Sequence, residues 1–238
     1  MGRKGGSSSL KRQMAPSFWE IKRKESRFVV RTSPGPHRRQ KSYALAVLLR
    51  DSLKVASTLR EAQKILNEGM IKVDGIIVHD DKRAVGLMDT IELVKTGQVF
   101  RLVPKNSRLL VPLSIDNHEK SSKLVLVTSK TTIRNNKLQY GFHDGKTIIS
   151  DLTMSVGDSC RLELPRLEIK DHIRFEKGYS ALIIGGENAG GIGKIEDIKD
   201  GLFSLPKRVV IALSGRSVEL PVDKVMVIGQ DVPILKVS

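Results

Sequence analysis

The sequence predicts an α+β protein of several domains behind a basic N-terminal arm. Three observations predict it. Positive charge is concentrated in the first 41 residues, a helix signature runs straight into a hairpin signature over residues 58–78, and short β-branched runs recur at regular spacing from residue 105 onward. At 238 residues the chain has room for two or three compact domains, and a hydrophobic fraction of 39% suffices for their cores.

The net charge is +15 and the pI near 10. Residues 1–41 hold twelve Lys and Arg against two acids, so the other 197 residues contribute only +5. Such a balance points to a polyanionic partner. Nucleic acid is favoured over a membrane surface because the arm lacks an amphipathic helix with a bulky apolar face. No apolar run of about 18 residues is present to suggest a transmembrane helix, and the N-terminus lacks the apolar stretch of a secretory signal. Gly2 and Ser7 partly match an acylation signal, but Gly6 stands where Ser or Thr is required. The single cysteine, Cys160, excludes an intrachain disulfide, fits a reducing cytoplasm and cannot hold zinc alone.

Taken in order, the arm opens with Gly and Ser, continues through Lys-Arg clusters and closes on SPGPHRRQK, where prolines forbid a continuous helix. It is expected to be extended and to become ordered on a partner. Arg3, Lys4, Lys11, Arg12, Lys22, Arg23, Lys24, Arg38, Arg39 and Lys41 are its candidate phosphate contacts. Trp19, set among these cations, is a candidate to stack on a base, or else packs on the first domain as an anchor.

Residues 43–56, YALAVLLRDSLKVA, carry a helical apolar stripe of Leu45, Leu48, Leu49, Leu53 and Ala56. Thr58 and Glu61 have capping-box spacing, Leu59, Ala62, Ile65 and Leu66 share a face, and Gly69 supplies a stop, so a helix of about three turns should end there. The period then changes to two. Ile71 and Val73, then Ile76 and Val78, flank Asp74-Gly75, a dipeptide typical of a two-residue hairpin turn. With the apolar side inward, Arg60, Lys64 and Lys72 remain outside as one basic patch. This unit resembles the α-L RNA-binding motif. MDTIELV and VFRLVP should complete a small sheet, closing a first domain over residues 42–104. His79, Asp80 and Asp81 are adjacent on a turn and do not converge as metal ligands must.

In residues 105–170, KLVLVTS, TTIR, KLQYGF, KTIIS and RLELP alternate with turn dipeptides and predict a central β-domain. His118, His143 and His172 are scattered on turns or surface, and Asp144, Asp151 and Asp158 are turn acids, so no catalytic constellation is expected. From residue 171 to the end comes a third unit, with GGENAGGIGK between two strands. It fails the P-loop pattern because Ile195 follows Gly193-Lys194, and no dinucleotide fingerprint can be laid on its glycines. A β-turn-β of this kind resembles the KOW motif of nucleic-acid-binding barrels, and in that frame Asn188 and Lys194 are the side chains expected at RNA. RVVIALSG, SVELPV and KVMVIG should close a KOW/SH3-like β-barrel.

The order of LKRQMAPSFW, SPGPH, LLRDSLKVA, IKVDG, GLMDTIEL, TGQVFRL and GGENAGGIGKI resembles the small-subunit ribosomal protein four family of the archaeal and eukaryotic type, over essentially the whole chain. The resemblance implies an rRNA-binding structural constituent of the small ribosomal subunit, cytoplasmic and in contact with neighbouring ribosomal proteins. It also implies no enzymatic activity, no cofactor and no small-molecule substrate. Ser9 stands where the family often has histidine, and the short segment after VMVIG is more like the archaeal branch. Two other readings have weaker support. An RNA-modifying enzyme anchored by an α-L unit would need a placed catalytic residue, and a KOW-type transcription factor leaves the arm and the helix-hairpin unit unaccounted for.

Overall fold

A computed structural model of the chain describes residues 9–203, 205–213 and 215–237. Arg3 and Lys4 lie outside the described residues. The protein is mostly β with few helices. Among the described residues are three five-stranded antiparallel sheets and two short two-stranded ribbons.

The first sheet has the order Ile76–Ile77, Ile71–Val73, Thr90–Leu93, Gln98–Lys105, Arg108–Ile115. Its last two strands form one hairpin, so the change of composition expected at residues 104–105 falls inside it and the sheet runs to Ile115. The helix Leu59–Asn67 is set by its sequence at both ends. Thr58 Oγ1 accepts from the Glu61 N–H at 3.2 Å while the Glu61 carboxylate accepts from the Thr58 and Ser57 N–H groups. At the far end the Gly69 N–H donates to Leu66 and the Met70 N–H to Ile65, the paired bonds of a Schellman stop. Thr58→Ala leaves the Glu61 N–H of the first turn without its cap, and should lower the urea unfolding free energy by about 1 kcal/mol. An unchanged midpoint would mean that packing alone holds the helix.

The hairpin forms as its residues dictate. Asp74 and Gly75 take φ of 53° and 78°, the two positive values of a type I′ turn, and Val73 faces Ile76 across it. Residues 43–56 depart from a single amphipathic helix. Tyr43–Ala44 pairs with Ala84–Val85, and the helical stretch is confined to residues 45–52, its second half wound as a π-turn. Leu45, Ala46, Val47, Leu48 and Leu49 are all buried. A segment covered on every side has no solvent face, and its form is decided by neighbours as much as by propensity.

The described part of the arm, expected to be extended, is packed against the first core. Leu10–Lys11 pairs with Phe28–Val29, and Leu10, Ala15, Phe18, Trp19 and Ile21 enter the first core beside Tyr43. Five apolar side chains without helical or strand period still bury enough surface to fix a turn-rich segment.

The central sheet, ordered Thr147–Ile149, Leu138–Phe142, Ser122–Thr132, Ser159–Glu163, Glu168–Ile173, encloses Val125, Val127, Tyr140, Phe142, Met154, Cys160 and Leu162. The third sheet, ordered Arg216–Pro221, Arg208–Leu213, Ile192–Lys199, Ser180–Ile183, Val225–Gly229, packs around Leu182, Ile195, Val209, Ile211 and Val227. Its glycine-rich turn lies against the first sheet: a Cβ on Gly190 would come within 2.6 Å of the Lys105 Cα, and Ser107 donates to the Ala189 and Glu187 carbonyls. Glycine is required there because backbone meets backbone. The C-terminal tail is also tied down, since buried Arg101 donates to the Lys236 carbonyl at 3.0 Å and to the Glu119 carboxylate at 2.6 Å.

Candidate nucleic-acid interface

A cation contributes to polyanion binding when its charge is not already neutralised within the protein. The molecule divides on this criterion. In the third sheet Lys177 pairs with Asp197, Lys194 with Asp231, Lys199 and Arg208 with Glu219, and Lys207 with Asp200. Among the described residues, by contrast, no carboxylate lies within ion-pair distance of Lys11, Lys22, Lys24, Arg31, Arg38, Arg39, Lys41, Arg60, Lys72 or Lys82. These free charges belong to the arm and the first sheet.

Four of them converge. Arg31, Arg38, Arg39 and Lys82 line an open cleft of 830 Å³ formed by residues 31–40 and Lys82, and no acidic residue lines it. The proline-punctuated loop is held by two long-range contacts: the Ser33 N–H donates to the Lys82 carbonyl at 2.8 Å, and buried His37 donates from Nε2 to Asp89, 2.9 Å from Oδ2. Gly86 is needed beneath the ring, because a Cβ there would run into His37. Arg38 and Lys41 also border a second cleft of 660 Å³ with largely apolar walls that include Leu87, Leu109, Leu126, Phe142 and Ile184. On the helix Arg60 and Lys64 are exposed. Lys64 stands 4.0 Å from Glu68, a solvated i,i+4 pair too weak to remove its charge. Lys72 is half-buried on the outward side of its strand, between buried Ile71 and Val73.

Beneath the first cleft the three parts of the molecule are locked by charge. Lys123 is 0% exposed and its Nζ meets Asp89 at 2.5 Å, Asp74 at 2.7 Å and Asp144 at 3.0 Å, while Lys146 reaches Asp74 at 2.8 Å. Burial alone would push Asp89 up, but the Lys123 ammonium and His37 outweigh it and hold the carboxyl well below the usual range. Burial likewise works against the Lys123 charge, and the three carboxylates more than restore it. Asp89 thus links the arm loop, through His37, to the central sheet, through Lys123. His143, expected on a turn or surface, is half-buried and bonded on both ring nitrogens: its Nδ1 accepts from the Leu126 N–H and its Nε2 donates to the Leu87 carbonyl. Burial, aided by the Lys123 charge, pushes it down to about 4, so it is a neutral structural strut at physiological pH.

Residues 4–40 match the RS4NT (NUC023) domain model and residues 96–169 the model of ribosomal family S4e. Small ribosomal subunit protein eS4 of Aeropyrum pernix is 38% identical over 99% of this chain and 97% of its own length. The chain belongs to the S4e family of ribosomal proteins. A second S4e relative, small ribosomal subunit protein eS4 of Methanothermobacter thermautotrophicus, is 39% identical over 95% of this chain and 94% of that protein. The crystal structure of the 30S ribosomal protein S4e from Thermoplasma acidophilum superposes with a TM-score of 0.70 at 33% identity, covering 80% of this chain and 96% of that one. The archaeal character expected of the chain agrees with these relatives.

Within this S4e chain several expected contacts are otherwise engaged. Trp19 is 2% exposed, stacks on Tyr43 at 5.7 Å and donates from Nε1 to the Ser42 carbonyl, so it is an anchor with no face left for a base. Arg12 is buried and donates to the Lys22 carbonyl and to Glu25; Arg23 donates to the carbonyls of Arg12, Ala15 and Pro16. Both guanidinium groups fold the arm upon itself. Asn188 accepts from Arg216 at 2.5 Å and Lys194 pairs with Asp231 at 2.8 Å, both contacts at the exposed surface of the glycine turn. Conversely, Arg31 and Lys82 join the cleft without any local signal, since Lys82 is brought there only by the Ser33 bond.

Proposed function

We propose that this S4e chain is a structural, non-enzymatic constituent of the small ribosomal subunit that binds rRNA and stabilises its fold during assembly and translation. The observation that carries the reading is the distribution of charge: ten cations of the arm and first domain meet no carboxylate among the described residues, and four of them surround one acid-free cleft. In this reading residues 1–41 form the basic arm, the helix and hairpin of the first sheet act as an α-L-like unit, the sheet spanning residues 122–173 is the central β-domain, and the third sheet with the residues after it is a KOW-like barrel and tail. Lys11, Lys22, Lys24, Arg38, Arg39, Lys41, Arg60, Lys64 and Lys72 contact phosphates, joined by Arg31 and Lys82. Neutralising phosphates at two separated patches on one rigid body fixes the relative orientation of two RNA segments. Neighbouring small-subunit proteins complete its surroundings in the cytoplasmic ribosome.

Binding to small-subunit rRNA should weaken by roughly three to five decades between 50 and 200 mM salt if about six to ten phosphates are neutralised. Arg38→Ala with Arg39→Ala should lower the slope of log K against log salt by about one to two, and so should Arg60→Ala with Lys64→Ala. A slope unmoved by either pair would remove that patch from the interface. In native extract the chain should sediment with the small subunit and resist a high-salt wash.

A further inference from the structure

The central sheet carries a feature that the charge of the arm does not account for. Strand Ser122–Thr132 is buried from Lys123 to Val127, then continues for five residues, Thr128–Thr132, that are all exposed. Its outer half pairs with Leu138–Phe142, which is flanked in turn by Thr147–Ile149, while the inner half pairs instead with Ser159–Glu163, so the other edge of Thr128–Thr132 is open. The result is an exposed edge finger roughly 16 Å long, backed on one side by Thr147–Ile149 and by the buried Tyr140, and ending in the loop 133–137. Its turn is closed by the Ile133 N–H donating to the Lys137 carbonyl, with Asn135 and Asn136 in the left-handed region at φ 64° and 57°.

The chemistry of this finger is one-sided. Residues 128–143 contain Lys130, Arg134 and Lys137 and no acid, and the rest of the exposed part is hydroxyl and amide: Thr128, Ser129, Thr131, Thr132, Asn135, Asn136. All three cations are exposed, and among the described residues none meets a carboxylate; Lys130 lies 5.8 Å from the centre of the Tyr140 ring, which anchors the base of the finger. Elsewhere in the central sheet cations are paired, Arg161 with Asp171 and Lys170 with Glu163. Free cations at an otherwise polar tip suit phosphates and 2′-hydroxyls; the one apolar side chain of the tip, Ile133, is half-buried, and the exposed Ile149 and Leu152 lie back along the flanking strand and its turn.

We propose that the Thr128–Gln139 hairpin is a separate rRNA contact, reaching an RNA segment that the arm and helix do not touch through Lys130, Arg134 and Lys137. This rests on the rRNA-binding reading above, and the test separates the two. Full-length chain carrying Lys130→Ala, Arg134→Ala and Lys137→Ala is titrated with small-subunit rRNA across 50–200 mM salt beside wild type and the Arg38→Ala, Arg39→Ala pair, with thermal melts confirming that each is folded. The triple variant should lose about two to three from the slope, so wild-type affinity falls about 40-fold further than the variant's over that range. If the arm pair flattens the slope and the finger variant does not, the finger contact is wrong and the general reading stands; if wild type shows no salt dependence, both fail. In reconstituted small subunits a photo-cross-linker on Arg134→Cys should yield an RNA adduct at a different rRNA site from one on Arg39→Cys. An adduct to a neighbouring protein alone, or to the same RNA site, overturns the proposal.

Discussion

Lys123→Met is expected to destabilise the protein by about 4 kcal/mol, because removing one partner of a buried ion network leaves the others without compensation. The side chain it replaces is fully buried, and Asp74, Asp89 and Asp144 all lie within 3.0 Å of its Nζ. Methionine matches the length of the stem but supplies no charge, so Asp74 and Asp144 would be left to share Lys146, which reaches them at 2.8 Å and 3.5 Å. Asp89 keeps only His37 and its bond from the Gly86 N–H. Urea unfolding followed by far-ultraviolet circular dichroism and by Trp19 fluorescence would measure the loss. Because Trp19 reports on the first core, an earlier transition by fluorescence would show the arm and first sheet releasing before the rest. Adding Asp74→Asn, Asp89→Asn and Asp144→Asn should recover part of the stability, since the unpaired charges disappear with their partner. A loss below about 1 kcal/mol for Lys123→Met would mean that water already solvates the cluster.

Why that cluster escaped the sequence, while the helix beside it did not, follows from the range of the forces involved. Thr58, Glu61 and Gly69 act within one or two turns of the residues they cap, and Asp74-Gly75 sets its turn by two local φ angles, so both appear as spacing. His37, Asp74, Asp89, Lys123, Asp144 and Lys146 come from five separate stretches, and each taken alone resembles a solvated residue. Only the folded chain brings them together. The same holds for the arm: Leu10, Phe18, Trp19 and Ile21 have no common period, so their burial depends on Tyr43 and the first core. At the glycine-rich turn the need for close backbone approach was readable, but the surface approached, at Pro104 and Lys105, was not. Nor does composition reveal which cations are spent internally. Lys194 and Lys24 look equally available until Asp231 is found beside the first.

His143 makes the stability of the same junction depend on pH. Burial and the Lys123 charge lower it from an ordinary 6.5 to about 4, so the unfolded chain takes up this proton more readily than the folded one. The sign follows directly: the contribution is full above about pH 6.5 and is lost as pH falls from there toward 4, for a total of about 3 kcal/mol. Below about pH 4 the loss continues through Asp89 and Asp144, whose carboxyls Lys123 holds below the usual range against the effect of burial. Geometry explains why the proton is refused, because Nδ1 already accepts from the Leu126 N–H and a proton there would set donor against donor. Unfolding free energies at pH 7.5, 5.5 and 4.5 should therefore fall steeply in wild type. In His143→Gln, whose amide can accept from Leu126 and donate to Leu87 but does not titrate, the fall over that window should be smaller by about 3 kcal/mol. Equal slopes in the two proteins would show that His143 is solvated or reoriented in solution, and that the contact between the Leu87 loop and the Leu126 strand is held by packing instead.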